Sequence, residues 1–293
     1  MYRKFLDPTT DLTFKKIFGN QQKTEILIAF LNAILGRKEG DLITKITIID
    51  PNNHPETIIS KQTIVDIKCE DQKGITYIIE MQVINQYHYV DRAQYYTCLE
   101  VSRQLSKKES FVKLTPVIFV GIANFSLFDD NKDYLTHHEL LETKTYKNYL
   151  KLTSYHFLEL KKFNKNLDEL NSIVDQWAFF LKNAGDFNEN EIPEQLQENP
   201  ELTEAFEVLK LTNYTAQELN LYDIELDAFR IEAGKEIEAK ELFDKGKEEG
   251  LEKGMKEAAL DIAKRMLKKG ISIEVASELS GLSIDEIKKY EKR

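Results

Sequence analysis

Between Val65 and Gln82, hydrophobic and polar residues alternate in two short runs that flank a turn. Side chains on a strand change faces at every residue, so this alternation predicts two β-strands. The residues between them, Gln72-Lys73-Gly74, fit a three-residue hairpin loop with glycine in the left-handed conformation. If Asp71 pairs with Ile75, the numbers of opposed residues in the hairpin sum to 146.

This register places the carboxylates of Asp66 and Glu80 directly across from each other. Opposed side chains have Cβ atoms about 4.5–5.5 Å apart, and like charges at that distance repel. A divalent cation held by oxygen ligands would remove the repulsion, so we predict a metal site here. In the alternative interpretation, the face is solvated and carries mixed charges, and Asp66 pairs with Lys68.

The remaining periodicity predicts helices on both sides of the hairpin and further strands after it. Apolar residues at helical spacing predict helices at about 11–18, 26–35 and 89–105. Alternating or continuously apolar runs predict strands at 43–49, 115–122, 137–146 and 149–163. Further helices are predicted at 167–184, 192–211 with an interruption near Pro200, and 216–269. The sequence is therefore of the α/β class and becomes wholly helical towards its end.

The helical end of the sequence carries two further patterns. Gly246, Gly250 and Gly254 recur every four residues, which places them on one helix face. That face either docks a second helix, as in a homodimer, or belongs to an exposed helix weakened by glycine, which we favour. The last residues resemble a helix-turn-helix in which Ser283 caps the final helix. That helix offers as many acidic as basic side chains, so we expect a packing or oligomerisation element rather than a DNA reader.

The composition indicates in which cellular compartment the protein is found. The chain of 293 residues contains no apolar run of 18 residues, which argues against a transmembrane helix and a membrane partner. The first residues lack the apolar core of a signal peptide, and two cysteines are too few for a disulfide framework. We therefore expect a cytoplasmic protein.

Charge limits the class of function. The net charge is −10, and residues 234–293 contain 14 basic and 14 acidic residues, so the whole excess of acid lies in residues 1–233. This argues against a protein that coats nucleic acid generally. It does not argue against a nuclease, because a metal site is itself acidic and DNA needs only a local basic patch.

Four stretches resemble a known family. They are DLTFKKIFG (Asp11–Gly19), VDIK (Val65–Lys68), YIIEMQ (Tyr77–Gln82) and DRAQYY (Asp91–Tyr96). In this order and spacing they are similar to the Rpn family of recombination-promoting nucleases, also described as PD-(D/E)XK family transposases. The resemblance implies a restriction-endonuclease-like fold, with a mixed central sheet flanked by helices and an all-helical C-terminal region. The resemblance extends over about the first 130 residues. We divide the chain into a nuclease-like core at 1–165, a helical extension packed on it at 166–215, and the long helix and small tail at 216–293.

The resemblance also implies the metal ligands. In that superfamily an Asp on one strand and a (D/E)-x-K sequence on the next hold Mg²⁺ at the scissile phosphate. The matching residues are Asp66 and Glu80, and the backbone carbonyl of Met81 would be the third oxygen. Asp11 on the first helix would be either a further ligand or only a helix cap. Mg²⁺ is the expected ion, and Mn²⁺ or Ca²⁺ are alternatives.

Gln82 stands where the superfamily usually has Lys, although the Rpn-like pattern usually carries Glu-x-Gln. An amide can orient a water, but it cannot act as general base or carry positive charge. Lys68, on the same face as Asp66, would supply that charge. Further residues near the site are candidates for contacts to DNA or for support of the catalytic strands. They are Lys15, Lys16, Arg92, Gln94 and Tyr95.

The sequence therefore predicts a metal-dependent DNA endonuclease associated with recombination or mobile elements. A homodimer through the C-terminal helices would place two active sites on the two strands of DNA. One alternative is a nuclease-like fold that no longer cleaves and serves as a DNA-binding or protein-interaction module. A second is a structural α/β protein in which the opposed acids are accidental.

Overall fold

A mixed β-sheet forms the centre of the first part of the chain. The computed structural model describes residues 4–49, 65–85, 88–106, 109–188 and 192–291. Its six strands are β1 (Ile46–Ile49), β2 (Ile67–Asp71), β3 (Thr76–Gln82), β4 (Val117–Ala123), β5 (Leu135–Glu139) and β6 (Thr153–Glu159). They lie in the order β1-β2-β3-β4-β6-β5, with β3, β4 and β6 parallel and the other neighbours antiparallel. This arrangement confirms the mixed sheet predicted from the sequence.

The β2–β3 hairpin has the predicted register. Ile67 lies opposite Ile79 and Lys68 opposite Ile78, so paired residue numbers sum to 146. The Asp71 N–H donates to the Ile75 carbonyl at 3.0 Å, which closes the loop. Gly74 has a φ of +76°, a conformation that favours glycine because it has no Cβ.

Helices cover both faces of the sheet. The nine α-helices of the described residues are α1 (Asp11–Phe18), α2 (Glu25–Ile34), α3 (Tyr89–Arg103), α4 (Ile173–Asn183), α5 (Glu194–Gln197), α6 (Pro200–Leu209), α7 (Ala216–Lys268), α8 (Ile273–Ser280) and α9 (Ile284–Glu291). The larger core packs one sheet face against residues of α1, α2, α4 and α6, with Trp177 at 0% exposure among its aromatic rings. A smaller core packs the other face against α3.

The helical stretch expected at 192–211 is interrupted near Pro200, as predicted. Helix α5 ends at Gln197, and Pro200 is the first residue of α6, where its missing N–H has no consequence. The strands expected at 137–146 and 149–163 are shorter, and residues 140–152 form a loop between β5 and β6. Within this loop, the Glu142 carboxylate accepts hydrogen bonds from the N–H groups of Lys144 and Thr145, so a local turn stands where the strand was expected.

The residues form two units by their contacts, Met1–Phe229 and Arg230–Arg293. In the second unit, the end of α7 packs with α8 and α9 through Leu260, Ala263, Leu282 and Ile287. Ser283 caps α9 as predicted, because its hydroxyl accepts from the Glu286 N–H at 3.3 Å. None of the helices that the structure describes is both long and apolar enough to cross a membrane.

Candidate active site at the end of the β2–β3 hairpin

The hairpin ladder stops at the level of Asp66 and Met81, and this end forms the candidate site. β2 begins at Ile67, so the Asp66 side chain takes the place of a strand backbone and accepts the Met81 N–H through Oδ2 at 2.8 Å. The N–H and carbonyl of one strand residue face the same neighbour. The Met81 carbonyl is therefore turned towards the edge where Asp66 lies.

Glu80 lies beside Asp66 with a side chain that is only 8% exposed. Arg92 of α3 donates to its Oε1 at 2.8 Å, and the Tyr89 hydroxyl donates to its backbone carbonyl at 3.1 Å. Its other carboxylate oxygen, Oε2, is buried and accepts no hydrogen bond from the residues that the structure describes. A buried carboxylate oxygen without a partner is costly unless a cation compensates it.

The electrostatics of the two acids also indicate a shortage of positive charge. Burial raises the pKa of Glu80 to about 7, with Arg92 lowering it and Asp66 raising it further. Burial likewise raises the pKa of Asp66 to about 6, opposed by the Met81 N–H and reinforced by the charge of Asp11. Both carboxyls therefore keep their protons to a higher pH than free carboxyls do, and a bound cation would favour their ionised forms.

The donor set fits Mg²⁺ better than a metal that needs a full protein cage. Within the described ranges, no group of three or more His, Cys, Asp or Glu side chains is placed to hold a metal ion. The site offers two carboxylates, Asp66 and Glu80, and the Met81 carbonyl. Mg²⁺ keeps several waters and is often bound through one or two carboxylates, so this small set is sufficient for it.

Helix α1 brings one charged pair to the site. Asp11 is the first residue of the helix and Thr10 is its N-cap, so Asp11 is not the capping residue. The Lys15 ammonium lies 2.6 Å from Asp11 and 3.8 Å from Oδ1 of Asp66. Lys16 points elsewhere, and its ammonium lies 2.8 Å from Glu218 and 3.9 Å from the centre of the Tyr214 ring. The two neighbouring lysines therefore have different surroundings, and Lys15 is the one near the acids.

A further acid, Glu225 of α7, reaches this edge and was not predicted from the sequence. It accepts the N–H groups of Asp11 and Leu12 at the start of α1. Burial raises its pKa, and the nearby Asp11 raises it further. No local pattern identifies it, because it lies more than two hundred residues from its partners in the sequence.

Helix α3 presents one face to the site. Arg92 bridges the two strand residues, donating to Glu80 and to Oε1 of Gln82, each at 2.8 Å. Burial raises the pKa of Tyr96, and the charge of Glu80 raises it further, so this ring also lies within reach of the site. The two residues of α3 predicted here besides Arg92 are Tyr95, which is 49% exposed, and Gln94, which lines a cavity of about 200 Å³ beside β5 and β6.

Lys68 faces the α3 side of the sheet, as Asp66 does, but its ammonium is bonded to Glu100 of that helix. The two oxygens of Glu100 lie 3.1 and 3.3 Å from it, and the Lys68 side chain is 5% exposed. The structure therefore brings together Asp66, Glu80, Met81, Gln82, Arg92, Asp11 and Lys15. Lys16 and Gln94 contact other parts of the molecule, and the Tyr95 side chain is about half exposed. The Lys68 ammonium is bonded to Glu100.

Gly121 leaves room for Tyr89 of α3 to contact the backbone of Glu80. Gly121 of β4 lies beside Glu80 in the parallel pairing, and a Cβ built there would lie 2.7 Å from the Tyr89 hydroxyl. Only a residue without a side chain lets Tyr89 reach the Glu80 carbonyl. An isolated glycine inside a strand pattern is a known signal of such close approach, and it could have identified this position from the sequence.

Comparison with known proteins gave two family matches. Residues 8–233 match the family model described as PD-(D/E)XK nuclease family transposase. Residues 256–292 match the model described as Rpn/YhgA-like nuclease family, C-terminal HTH domain. Neither the curated proteins nor the solved structures gave a match. The first match covers well over half of the chain and includes every residue of the candidate site.

Proposed function

Because the chain belongs to the PD-(D/E)XK nuclease family transposases, as its sequence predicted, we propose that it is a metal-dependent endonuclease that hydrolyses phosphodiester bonds in DNA. The observation that carries this proposal is the pair of buried carboxylates, Asp66 and Glu80, at the open end of the hairpin. Both have a raised pKa, and one oxygen of Glu80 has no hydrogen-bond partner among the described residues.

In this proposal Asp66, Glu80 and the Met81 carbonyl hold Mg²⁺, with Mn²⁺ or Ca²⁺ as alternative occupants. The ion supplies Lewis-acid polarisation of the scissile phosphate and lowers the pKa of a nearby water when it is bound. Asp11 either adds a carboxylate to this shell or keeps Lys15 in place. Two acids and a carbonyl are enough for an ion that retains waters of its own.

The remaining side chains position the water and the phosphate. Gln82 accepts from Arg92 through its amide oxygen, so its NH₂ group remains to orient the attacking water. Arg92 lies beside Glu80 and Gln82, and its planar guanidinium suits a phosphate oxygen on which negative charge develops. Lys15 supplies a second cation on the α1 side. Lys68 acts through Glu100 and α3, which it fixes against the sheet.

Plasmid cleavage by the purified protein, with EDTA, Mg²⁺, Mn²⁺ and Ca²⁺ in parallel, tests the proposal. We expect metal-dependent nicking by the wild type and its loss in Asp66→Asn, because the amide cannot supply the ligand charge. Glu70→Gln is the matched control, since Glu70 is an exposed carboxylate on β2, four residues after Asp66. Equal cleavage by wild type and Asp66→Asn would reject the site.

A DNA-binding module without cleavage is the second candidate. Arg92 already occupies one oxygen of Glu80, and the acidic balance of residues 1–233 weakens general attraction to DNA. The match to a C-terminal HTH domain gives this candidate its own means of binding DNA. Binding of DNA and metal by a folded protein that cuts in none of the metals would favour it.

The setting of the activity is also a proposal. We infer a role in recombination or in mobile elements, in the cytoplasm, from the family to which the chain belongs. A homodimer through the C-terminal helices would bring two sites to the two strands of a duplex. We keep the division into 1–165, 166–215 and 216–293 as the proposed domain organisation.

A further inference from the structure

The loop between β5 and β6, residues 140–152, has an ordered tip. The Tyr146 N–H donates to the Glu142 carbonyl at 2.8 Å, and the Glu142 N–H donates to the Lys147 carbonyl at 3.0 Å. The Glu142 carboxylate accepts from the Thr145 N–H at 2.7 Å and from the Thr145 hydroxyl at 2.6 Å. The one acid of the tip is therefore engaged by donors of the same turn.

This turn holds an aromatic side chain outwards at some conformational cost. Tyr146 has a φ of +54°, a region that bulky residues rarely adopt, and its side chain is 75% exposed. Tyr149, three residues on, is 67% exposed. Neither ring contacts another ring within the part of the chain that the structure describes. Strained backbone that presents a side chain to solvent is typical of a functional position.

The same loop is basic in an acidic part of the chain. Lys144, Lys147 and Lys151 are exposed, and no carboxylate among the described residues pairs with them. Residues 1–233, by contrast, carry the whole net charge of −10. Exposed tyrosines alternating with unpaired lysines suit a ligand that offers both flat apolar surfaces and phosphates.

We propose that the β5–β6 loop binds DNA with unpaired bases, with Tyr146 and Tyr149 stacking on bases and the three lysines contacting phosphates. The proposal rests on DNA being the substrate and names the class of DNA. An aromatic side chain stacks on a base that is not already stacked in a duplex, whereas lysines alone would serve duplex phosphates equally well. The loop therefore selects single-stranded stretches, flaps or bubbles.

The base of the β5–β6 loop is distant from the candidate active site. Thr153, where the loop returns to the sheet, pairs with Val117, which pairs with Thr76, four residues before Glu80. At about 3.3 Å per residue, the base of the loop lies roughly 13 Å from Glu80 along the strands. The loop therefore contributes to DNA affinity and not to the rate of cleavage at saturating DNA.

Binding is measured by fluorescence anisotropy in EDTA on Asp66→Asn protein, so that cleavage plays no part. The probes are a labelled oligothymidine, a blunt duplex of the same length, and that duplex with a central bubble. We expect Tyr146→Asn with Tyr149→Ala to weaken binding of the oligothymidine and the bubble by about tenfold or more per ring, and to leave the blunt duplex unchanged. Asn is chosen for position 146 because it tolerates positive φ.

Three controls make the result specific. Tyr146→Phe should keep the affinity, because the ring and not the hydroxyl stacks. Phe111→Ala removes another exposed ring, and Lys132→Ala removes another exposed lysine, and neither should change the preference.

In Lys147→Ala, the plot of log affinity for single strands against log salt concentration should be shallower by about 0.7, the slope that one neutralised phosphate contributes.

The outcomes separate this proposal from the nuclease proposal. Unchanged affinity of the double tyrosine variant for unpaired DNA overturns the role of the loop, whether or not the wild type cleaves. A change from dimer to monomer in that variant, without a change in DNA binding, would assign the exposed apolar side chains of the loop to a second copy of the chain. Loss of single-strand binding in a protein that never cleaves would support the loop and reject the nuclease.

Discussion

At the scale of single residues, Glu80 couples folding stability to pH. Burial raises the pKa of its carboxyl from 4.5 to about 7, so between these values the folded protein holds more protons than the unfolded one. The free energy of unfolding must then fall as pH rises through this window. We expect the metal-free protein to lose on the order of 1–3 kcal/mol, measured by urea unfolding in EDTA at several pH values between 4.5 and 7.5. Asp66, with a pKa raised to about 6, acts in the same direction.

Substitution identifies the group responsible. Glu80→Gln cannot ionise, so its unfolding free energy should vary less with pH than that of the wild type. Glu70→Gln, at the one exposed residue of β2, should retain the full dependence. Mg²⁺ should restore stability to the wild type near pH 7.5, because it binds the ionised carboxylates. A Glu80→Gln protein with the slope of the wild type would show that another group titrates.

Gly121 provides a second prediction at this scale. A methyl group there would lie 2.7 Å from the Tyr89 hydroxyl and 2.8 Å from the Phe157 ring. We expect Gly121→Ala to destabilise the protein by about 1–3 kcal/mol through overpacking and to weaken metal binding by displacing Tyr89 from Glu80. Thermal unfolding with and without Mg²⁺ measures both effects.

A matched glycine and a double variant test the cause. Gly234 of α7 has nothing within 4 Å of a built Cβ, so Gly234→Ala should cause no loss of stability. Tyr89→Phe removes the nearest atom of the clash, and in combination with Gly121→Ala it should recover part of the missing stability. Additive losses in the double variant would mean that the two residues do not interact.

At the scale of elements, α3 is attached to the sheet by a buried ion pair. The Lys68 ammonium lies 3.1 Å from Glu100, and the two side chains are 5% and 14% exposed. Removing one partner leaves a buried charge, so we expect Lys68→Met or Glu100→Gln alone to cost about 3–5 kcal/mol. The double variant should regain most of that loss. Chemical unfolding of the four proteins completes the cycle.

The same four proteins decide whether Lys68 takes part in cleavage. If it acts only by positioning α3, the double variant should cleave DNA with the turnover of the wild type once it is saturated with substrate. A double variant that is stable but cleaves much more slowly at saturating DNA would show that Lys68 takes part in catalysis. Arg92 should remain necessary in either case, because it contacts Glu80 and Gln82 directly.

The hairpin and α3 differ in how well their geometry could be predicted from the sequence. Strand alternation and Gly74 were sufficient for the hairpin register, because both act within twenty residues of the chain. The face of α3 was harder to assign, since Tyr95 and Tyr96 both follow Arg92 by about one helical turn. The pattern alone does not show that Tyr96 lies close enough to Glu80 for that charge to raise its pKa.

Contacts between distant segments could not be predicted. Whether Lys15 or Lys16 approaches the acids depends on where α7 places Glu218, which binds Lys16. The contribution of Glu225 to the start of α1 depends on the same packing. No local pattern in one sequence specifies which of several exposed acids on a long helix will meet another element.

At the scale of the whole molecule, α7 leaves large apolar side chains uncovered in a single copy. Its part within the second unit exposes between 61% and 70% of each of six: Ile231, Ile237, Leu242, Phe243, Leu251 and Met255. Exposed apolar surface of this kind commonly marks an interface. We expect the protein to be a dimer and Leu251→Glu with Met255→Glu to make it monomeric, as measured by sedimentation equilibrium. Lys253→Glu, which adds an acid at a polar position of the same turn, should leave the dimer intact.

The glycines of α7 then distinguish the two interpretations of their spacing. A Cβ built at Gly246, Gly250 or Gly254 meets nothing within 4 Å in one copy, so alanine should stabilise an exposed helix by up to about 1 kcal/mol at each position. If these residues instead form the contact with a second helix, the added methyl groups must weaken the dimer. Sedimentation of the triple alanine variant therefore distinguishes the two interpretations. The dimer should be unchanged if the glycines are exposed and weaker if they form the contact. A weaker dimer that also loses double-strand cleavage but still nicks would tie the paired active sites to this helix face.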